Sequence, residues 1–281
     1  LTVINEKMFQ GCYLTKMILP QSLAVIKDYA FSNCCYLVKI DIPPSVVHIG
    51  KYAFQNCKSL EQITIPPLIN VICESCFSGC ESLRKVDFPK NLILIENGAF
   101  NGCSLLSPIS IDISKTMISS SSFSYPIVTV ISSSNEKMKQ MNFQSFNYIK
   151  TIVLPSSVKT IETNMFYYCQ NLEEVTIPSS VSIIRENAFN YCQKMVKIHI
   201  PSSVTTIGQS AFSGCSKLEQ VDISSVQNIS NSCFYNCSSL KKIKFHPSLR
   251  TIGENSFSGC SLLEEITFDL SKTSFQKSSF S

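Results

Sequence analysis

The 281-residue chain is 44% hydrophobic and only 16% charged, with a formal net charge of +4 and fourteen cysteines. Its apolar share excludes a disordered polymer, and its small positive excess is dispersed apart from the local Lys241-Lys242-Ile243-Lys244, so composition does not call for nucleic acid. No window approaches the roughly 18 consecutive apolar residues of a membrane span, and neither an initiator Met nor a secretory apolar region stands within Leu1 to Pro20, so a mature chain or a fragment is expected.

From the first turn onward, phenylalanine recurs at Phe9, Phe31, Phe54, Phe77, Phe100, Phe123, Phe146, Phe166, Phe189, Phe212, Phe234, Phe257 and Phe280, in steps of 22 or 23 residues and one of 20. A period of this size marks a solenoid, in which each unit buries its apolar face only against its neighbours. The expectation is one continuous domain, 1–281, of about 12 turns. Function is then to be sought on surfaces.

Residues 31 to 54 define the unit. Leu37-x-x-Ile40-x-Ile42 ends in strict alternation, which predicts a short strand with Asp41 facing outward, and Pro43 stops it. Pro44-Ser45-Val46 reads as a turn, because proline fixes φ and serine bonds its own backbone. Val46 and Ile49 begin a return path. Ala53-Phe54-x-x-Cys57 then closes the coil as a tight helical or 3₁₀ turn with Phe and Cys pointing inward.

Further along, the pattern fails between Phe123 and Phe146: Pro126 stands at the Cys position, and the next unit, counted from Phe146, puts Ile149 there. The stretch Gly102-Cys103-Ser104-Leu105-Leu106 through Phe123 closely matches Gly259-Cys260-Ser261-Leu262-Leu263 through Phe280. Two tandem arrays are therefore expected, 1–125 and 149–281, joined by a degenerate repeat at 126–148. Its apolar residues Ile127, Val128, Val130, Ile131, Met138, Met141 and Phe143 predict that it stacks instead of forming a tether.

The motif L-x-x-I-x-I-P-x-S-V-x-x-I-x-x-x-A-F-x-x-C, clearest in Leu37 to Phe54, Leu60 to Phe77, Leu172 to Phe189, Met195 to Phe212 and Leu240 to Phe257, resembles the BspA-like class of leucine-rich repeats over nearly the whole chain. The resemblance implies a mainly β leucine-rich-repeat solenoid of short parallel strands. It also implies a non-enzymatic role, several such proteins being cell-surface adhesive or host-binding proteins, and it supplies no residue-level site.

Ten cysteines, Cys12, Cys34, Cys57, Cys80, Cys103, Cys169, Cys192, Cys215, Cys237 and Cys260, share one phase three residues after the phenylalanine. A ladder at one phase reads as packing by small buried thiols, and reduced thiols point to a cytoplasmic chain, the cell surface being the alternative. Cys73-Glu74-Ser75-Cys76 has zinc-knuckle spacing, but neither a second pair nor a histidine completes four ligands. His48, His199 and His246 fall at different phases, with no recurring nucleophile or carboxylate beside them. No catalytic, metal or cofactor site is expected, and no cofactor.

The outward strand positions alternate in charge from coil to coil, most regularly in the second array: Glu173 and Glu174, then Lys197 and His199, Glu219 and Asp222, Lys241, Lys242 and Lys244, and Glu264 and Glu265. Parallel neighbours bring such side chains within reach, so the alternation predicts cross-strand opposite-charge pairs and no like-charge stacks. A face that neutralises itself disfavours a polyanion. These eleven residues are the expected partner-binding face for another protein, with no nucleic acid and no membrane insertion. A structural array joined end to end as a homo-oligomer is the further alternative.

Overall fold

The computed structural model describes residues 2–132, 143–264, 266 and 273–280. By internal contacts the chain divides into two compact units, Leu1–Ile127 and Val128–Ser281. Each is a β-solenoid built from coils with one outer-face strand and one two-residue return strand, and among the described residues no α-helix is assigned.

In the first unit the face strands are Lys16–Ile18, Lys39–Asp41, Gln62–Thr64, Lys85–Asp87 and Ile109–Asp112. Their central residue is buried and its neighbours exposed in Lys39–Asp41, Gln62–Thr64 and Lys85–Asp87, as the alternation predicts. Return strands such as Val25–Ile26 and His48–Ile49 pair in parallel, Ile26 against Ile49. In the second unit Ile149–Val153 pairs with Glu174–Thr176, and Gln220–Ile223 with Lys242–Phe245, again in parallel. The segments Ala-Phe-x-x-Cys are turns closed by hydrogen bonds three residues apart, such as Cys57 N–H to the Phe54 carbonyl at 3.2 Å.

The core of each unit is a stack of phenyl rings. In the first, Phe9, Phe31, Phe54, Phe77, Phe100 and Phe123 follow one another at centroid distances of 5.2 to 5.5 Å. The second has Phe143, Phe166, Phe189, Phe212, Phe234, Phe257 and Phe280 at 5.1 to 5.5 Å. Each stacked pair contributes about 0.5–1.5 kcal/mol beyond its area burial.

Phe143 corrects the sequence reading, which gave that rung to Phe146. Phe146 lies edge-on to Phe143 at 5.7 Å and 78°, in the slot that cysteine takes elsewhere, and Ile149 occupies the Leu slot six residues after the rung. A phenylalanine three residues from another can enter either slot by spacing alone. The expected stacking through Met138 and Met141 falls outside the described residues.

Beside the rings runs the thiol ladder. All fourteen cysteines are free. Nine of the ten ladder thiols, from Cys34 onward, donate to the phenylalanine carbonyl of the preceding coil: Cys34 to Phe9 at 3.0 Å, Cys57 to Phe31 at 3.2 Å, Cys169 to Phe143 at 2.9 Å and Cys192 to Phe166 at 3.3 Å, with Cys80, Cys103, Cys215, Cys237 and Cys260 alike. The cysteine thus fits the slot as a small apolar group that also carries a weak donor.

In most coils the residues two before and two after the rung take left-handed backbone conformations, for example Tyr52 and Asn56 around Phe54 and Ser210 and Gly214 around Phe212, the coil of Phe123 being an exception. Side chains at these positions stack on the next coil, as Tyr29 does on Tyr52 at 4.7 Å and Tyr168 on Tyr191 at 4.7 Å, which offsets the backbone cost.

Candidate functional site

Outward residues of the face strands are held in place by the inward ones between them: Val175, Val221 and Ile243 are buried, so Glu174, Gln220, Asp222, Lys242 and Lys244 must project outward. The register sets Gln220 beside Lys242 and Asp222 beside Lys244. Two of the expected cross-strand ion pairs form on this face: Lys150 Nζ with Glu173 Oε2 at 3.3 Å, and Lys244 Nζ with Asp222 Oδ2 at 3.1 Å. Partial burial alone would raise the Asp222 carboxyl, but hydrogen bonds from the Ser224 hydroxyl and N–H, together with the Lys244 ammonium, hold it below the usual carboxylate range.

The first unit behaves differently. Lys39 pairs with Asp41 at 3.3 Å and Lys85 with Asp87 at 3.0 Å, each within its own strand. Lys16 is registered directly against Lys39, so a like-charge neighbour does occur. The alternation expected from the sequence therefore produces cross-strand compensation on the second unit's face, while on the first unit's face Lys39 and Lys85 pair within their own strands and the inter-coil pairs, Lys51 with Glu74 and Lys58 with Glu81, lie off the face strands. An aspartate two residues after a lysine lies on the same side of the strand and needs no neighbouring coil.

On the second unit's face lies an open trough of about 1180 Å³. It gathers Glu173, Glu174, Lys197, His199, Asp222, Lys242 and Lys244. Glu219 and Lys241, each one residue ahead of its strand, and Glu264 are exposed outside the trough lining, and Glu265 lies outside the described residues. Two lining lysines were missed by the sequence reading: Lys194 and Lys217, each five residues after its rung and ahead of the strand. Strand alternation does not reach turn residues. Their recurrence at one phase in consecutive coils was the available signal.

The trough opens where the coils fan apart. On the return side the ladder is unbroken, with Ile161 against Ile184 and Ile184 against Ile207. On the outer face, by contrast, Lys197 makes one isolated bridge to Gln220, and no ladder joins Lys197–His199 to Glu174–Thr176. His199 accordingly projects from an irregular segment and not from the paired strand that the sequence suggests.

The remaining chemistry is that of a packing core. Burial pushes the thiols up, Cys103, Cys169 and Cys215 to about 12 and Cys73 to about 11, which suppresses thiolate formation near neutrality. Cys76 sits buried at the slot alanine takes in other coils. Among the described residues no group of three or more His, Cys, Asp or Glu side chains is placed to hold a metal ion. His246 accepts the Ser248 N–H through Nδ1 at 2.9 Å, which caps its turn. No helix of the described residues is long and apolar enough to cross a membrane.

Coils of one short parallel strand and one return strand, with leucine, isoleucine and valine inside and mixed charge outside, define a leucine-rich-repeat β-solenoid. More narrowly, the chain belongs to the BspA type leucine rich repeat family, whose pattern matches residues 2–129, 127–196 and 159–281. Proteins of this family are typically protein-interaction or cell-surface proteins and generally non-enzymatic. Among solved structures, the chain is similar to a leucine-rich repeat protein from Bacteroides ovatus, at 26% identity over 94% of this chain and 81% of that one, with a TM-score of 0.46. A leucine-rich repeat protein from Eubacterium ventriosum shares 23% identity over 99% and 79%, with a TM-score of 0.42. A leucine rich cell surface protein from Faecalibacterium prausnitzii shares 21% over 95% and 79%, with a TM-score of 0.30. Among curated proteins none matches.

Proposed function

We propose that the chain is a non-enzymatic interaction scaffold that holds a protein partner on the outer sheet face of its second unit. The observation that carries this reading is the convergence of nine charged or titratable side chains, Glu173 to Lys244, on one open trough whose strands are fixed from beneath by buried valine and isoleucine. Such a face combines rigid backbone with exposed, partly paired charge, which suits specificity and rate of encounter more than raw affinity.

The test is charge reversal. Lys241→Glu, Lys242→Glu and Lys244→Glu together should abolish capture of the partner that the wild-type chain retains. The same reversal at Lys39, Arg84 and Lys85 of the first unit should leave capture intact. Thermal stability of the first triple variant should fall only modestly, since its one broken ion pair, Lys244 with Asp222, is exposed and worth about 0–1 kcal/mol. Unchanged capture removes this face from consideration. The fourteen free thiols favour a reducing, cytoplasmic setting over the cell surface; antibody labelling of intact against permeabilised cells decides between them.

A further inference from the structure

We infer that the trough takes an extended acidic segment of the partner polypeptide. The inference rests on the binding face proposed above and adds the chemistry of what binds there. Five lysines line the trough, Lys194, Lys197, Lys217, Lys242 and Lys244, against the three carboxylates of Glu173, Glu174 and Asp222. Two of those carboxylates are already occupied, Glu173 by Lys150 from the neighbouring coil and Asp222 by Lys244. Lys194, Lys197, Lys217 and Lys242 enter no ion pair among the described residues and are exposed. The trough is therefore locally basic although the face as a whole alternates in sign.

Spacing favours an extended, polyproline-II-like occupant. Lys194 and Lys217 hold the same phase in consecutive coils, about 4.8 Å apart on the parallel-strand spacing, and Lys197 and Lys242 are linked through Gln220, about 9.6 Å apart across two coils. A polyproline-II-like chain rises about 3.1 Å per residue with about three residues per turn, so carboxylates on every third residue of a segment running across the coils lie on one side and recur at about 9.3 Å. Glu174 at one end of the trough repels the same segment and so limits its length and sets its direction. A long uniform polyanion meets Glu173, Glu174, Glu219 and Glu264 as well, which makes a short acidic stretch the better match.

The experiment uses the full chain and three fluorescein-labelled probes: a twelve-residue peptide with Glu at every third position, its Lys counterpart, and a single-stranded oligodeoxynucleotide of equal charge to the first. The Glu peptide should bind, more weakly as salt rises. The triple variant Lys194→Gln, Lys197→Gln, Lys217→Gln should bind it at least ~10-fold more weakly, while Lys27→Gln with Lys90→Gln, exposed in the first unit, should have no effect. Replacing the same three lysines by Glu should transfer preference to the Lys peptide. Wild-type affinity in the Gln triple variant, equal binding of both peptides, or tighter binding of the oligonucleotide overturns the inference. Partner capture that is lost on reversal of Lys241, Lys242 and Lys244, in a chain that ignores the Glu peptide, refutes the acidic occupant and leaves the proposed face standing.

Discussion

The buried thiols make the fold unusually sensitive to alkali. Ten of them are at most 2% exposed, and burial raises nine of these further than Cys34: Cys57, Cys76, Cys80, Cys103, Cys169, Cys192, Cys215, Cys233 and Cys237. An unfolded thiol titrates near about 8.5, whereas burial raises Cys103, Cys169 and Cys215 to about 12 and the other six upward as well. The folded chain therefore keeps protons that the unfolded chain releases, and stability falls as pH rises. It is fully present below about 8.5 and is lost progressively as pH climbs toward about 12. Each group removes about 1.4 kcal/mol per pH unit once its unfolded form is ionised. Nine together approach about 12 kcal/mol per pH unit, which matches the roughly 5–15 kcal/mol stability of an ordinary domain. Urea unfolding followed by circular dichroism at pH 7.5, 8.5, 9.5 and 10 should show a steep decline and loss of the β signal near pH 10. Cys192→Ala should flatten that slope by about one proton's worth, whatever it costs at neutrality. A free energy that stays level from pH 7.5 to 9.5, or a slope that Cys192→Ala leaves untouched, would refute burial as the origin of the thiol ladder's silence.

Other expectations concern single coils. At Gly214, with φ +71, an added Cβ would meet the Tyr191 ring at 2.9 Å, whereas at Gly11, φ +70, it meets nothing within 4 Å. Gly214→Ala should therefore lower stability by more than Gly11→Ala, which bears only the left-handed penalty of about 1–2 kcal/mol; equal losses in thermal melts would show that the tyrosine yields freely. The Ser32 hydroxyl is buried without a hydrogen-bond partner, while that of Ser256 donates toward the Gly253 and Ser230 carbonyls at 2.6 and 3.0 Å. Ser32→Ala should be neutral or stabilising by up to about 1 kcal/mol and Ser256→Ala destabilising by about 1 kcal/mol, an ordering that chemical denaturation measures directly. Phe189→Ala removes a fully buried ring stacked on both Phe166 and Phe212 at 5.3 Å and should cost about 3–5 kcal/mol; a loss below 1 kcal/mol would mean that the stack closes over the gap.

What the sequence made legible, and what it hid, divides along one physical line. Burial in a repeat is periodic, so the rung phenylalanines, the ladder cysteines and the alternation of Glu174, Val175 and Thr176 could be read from spacing alone. Where two residues can satisfy the same spacing, periodicity loses its power: Phe143 and Phe146 both lie one repeat from a neighbouring phenylalanine, and only Ile149, six residues after Phe143, distinguishes them. The left-handed positions had a signal that went unread, because asparagine or glycine directly precedes the ladder cysteine at Asn33, Asn56, Gly79, Gly102, Gly214, Asn236 and Gly259, the residue types that tolerate positive φ. The trough had none in its own strand. Met195-Val196-Lys197-Ile198-His199-Ile200 alternates as cleanly as Leu240 to Phe245, yet only the latter joins a continuous ladder, since a fan between coils is set by how neighbouring coils pack and not by the pattern within either. Charge is the one property that the periodic core does not constrain. The unpaired lysines at Lys194 and Lys217 stabilise no strand and fill no slot, and the proposed binding face rests on their coincidence with the fan.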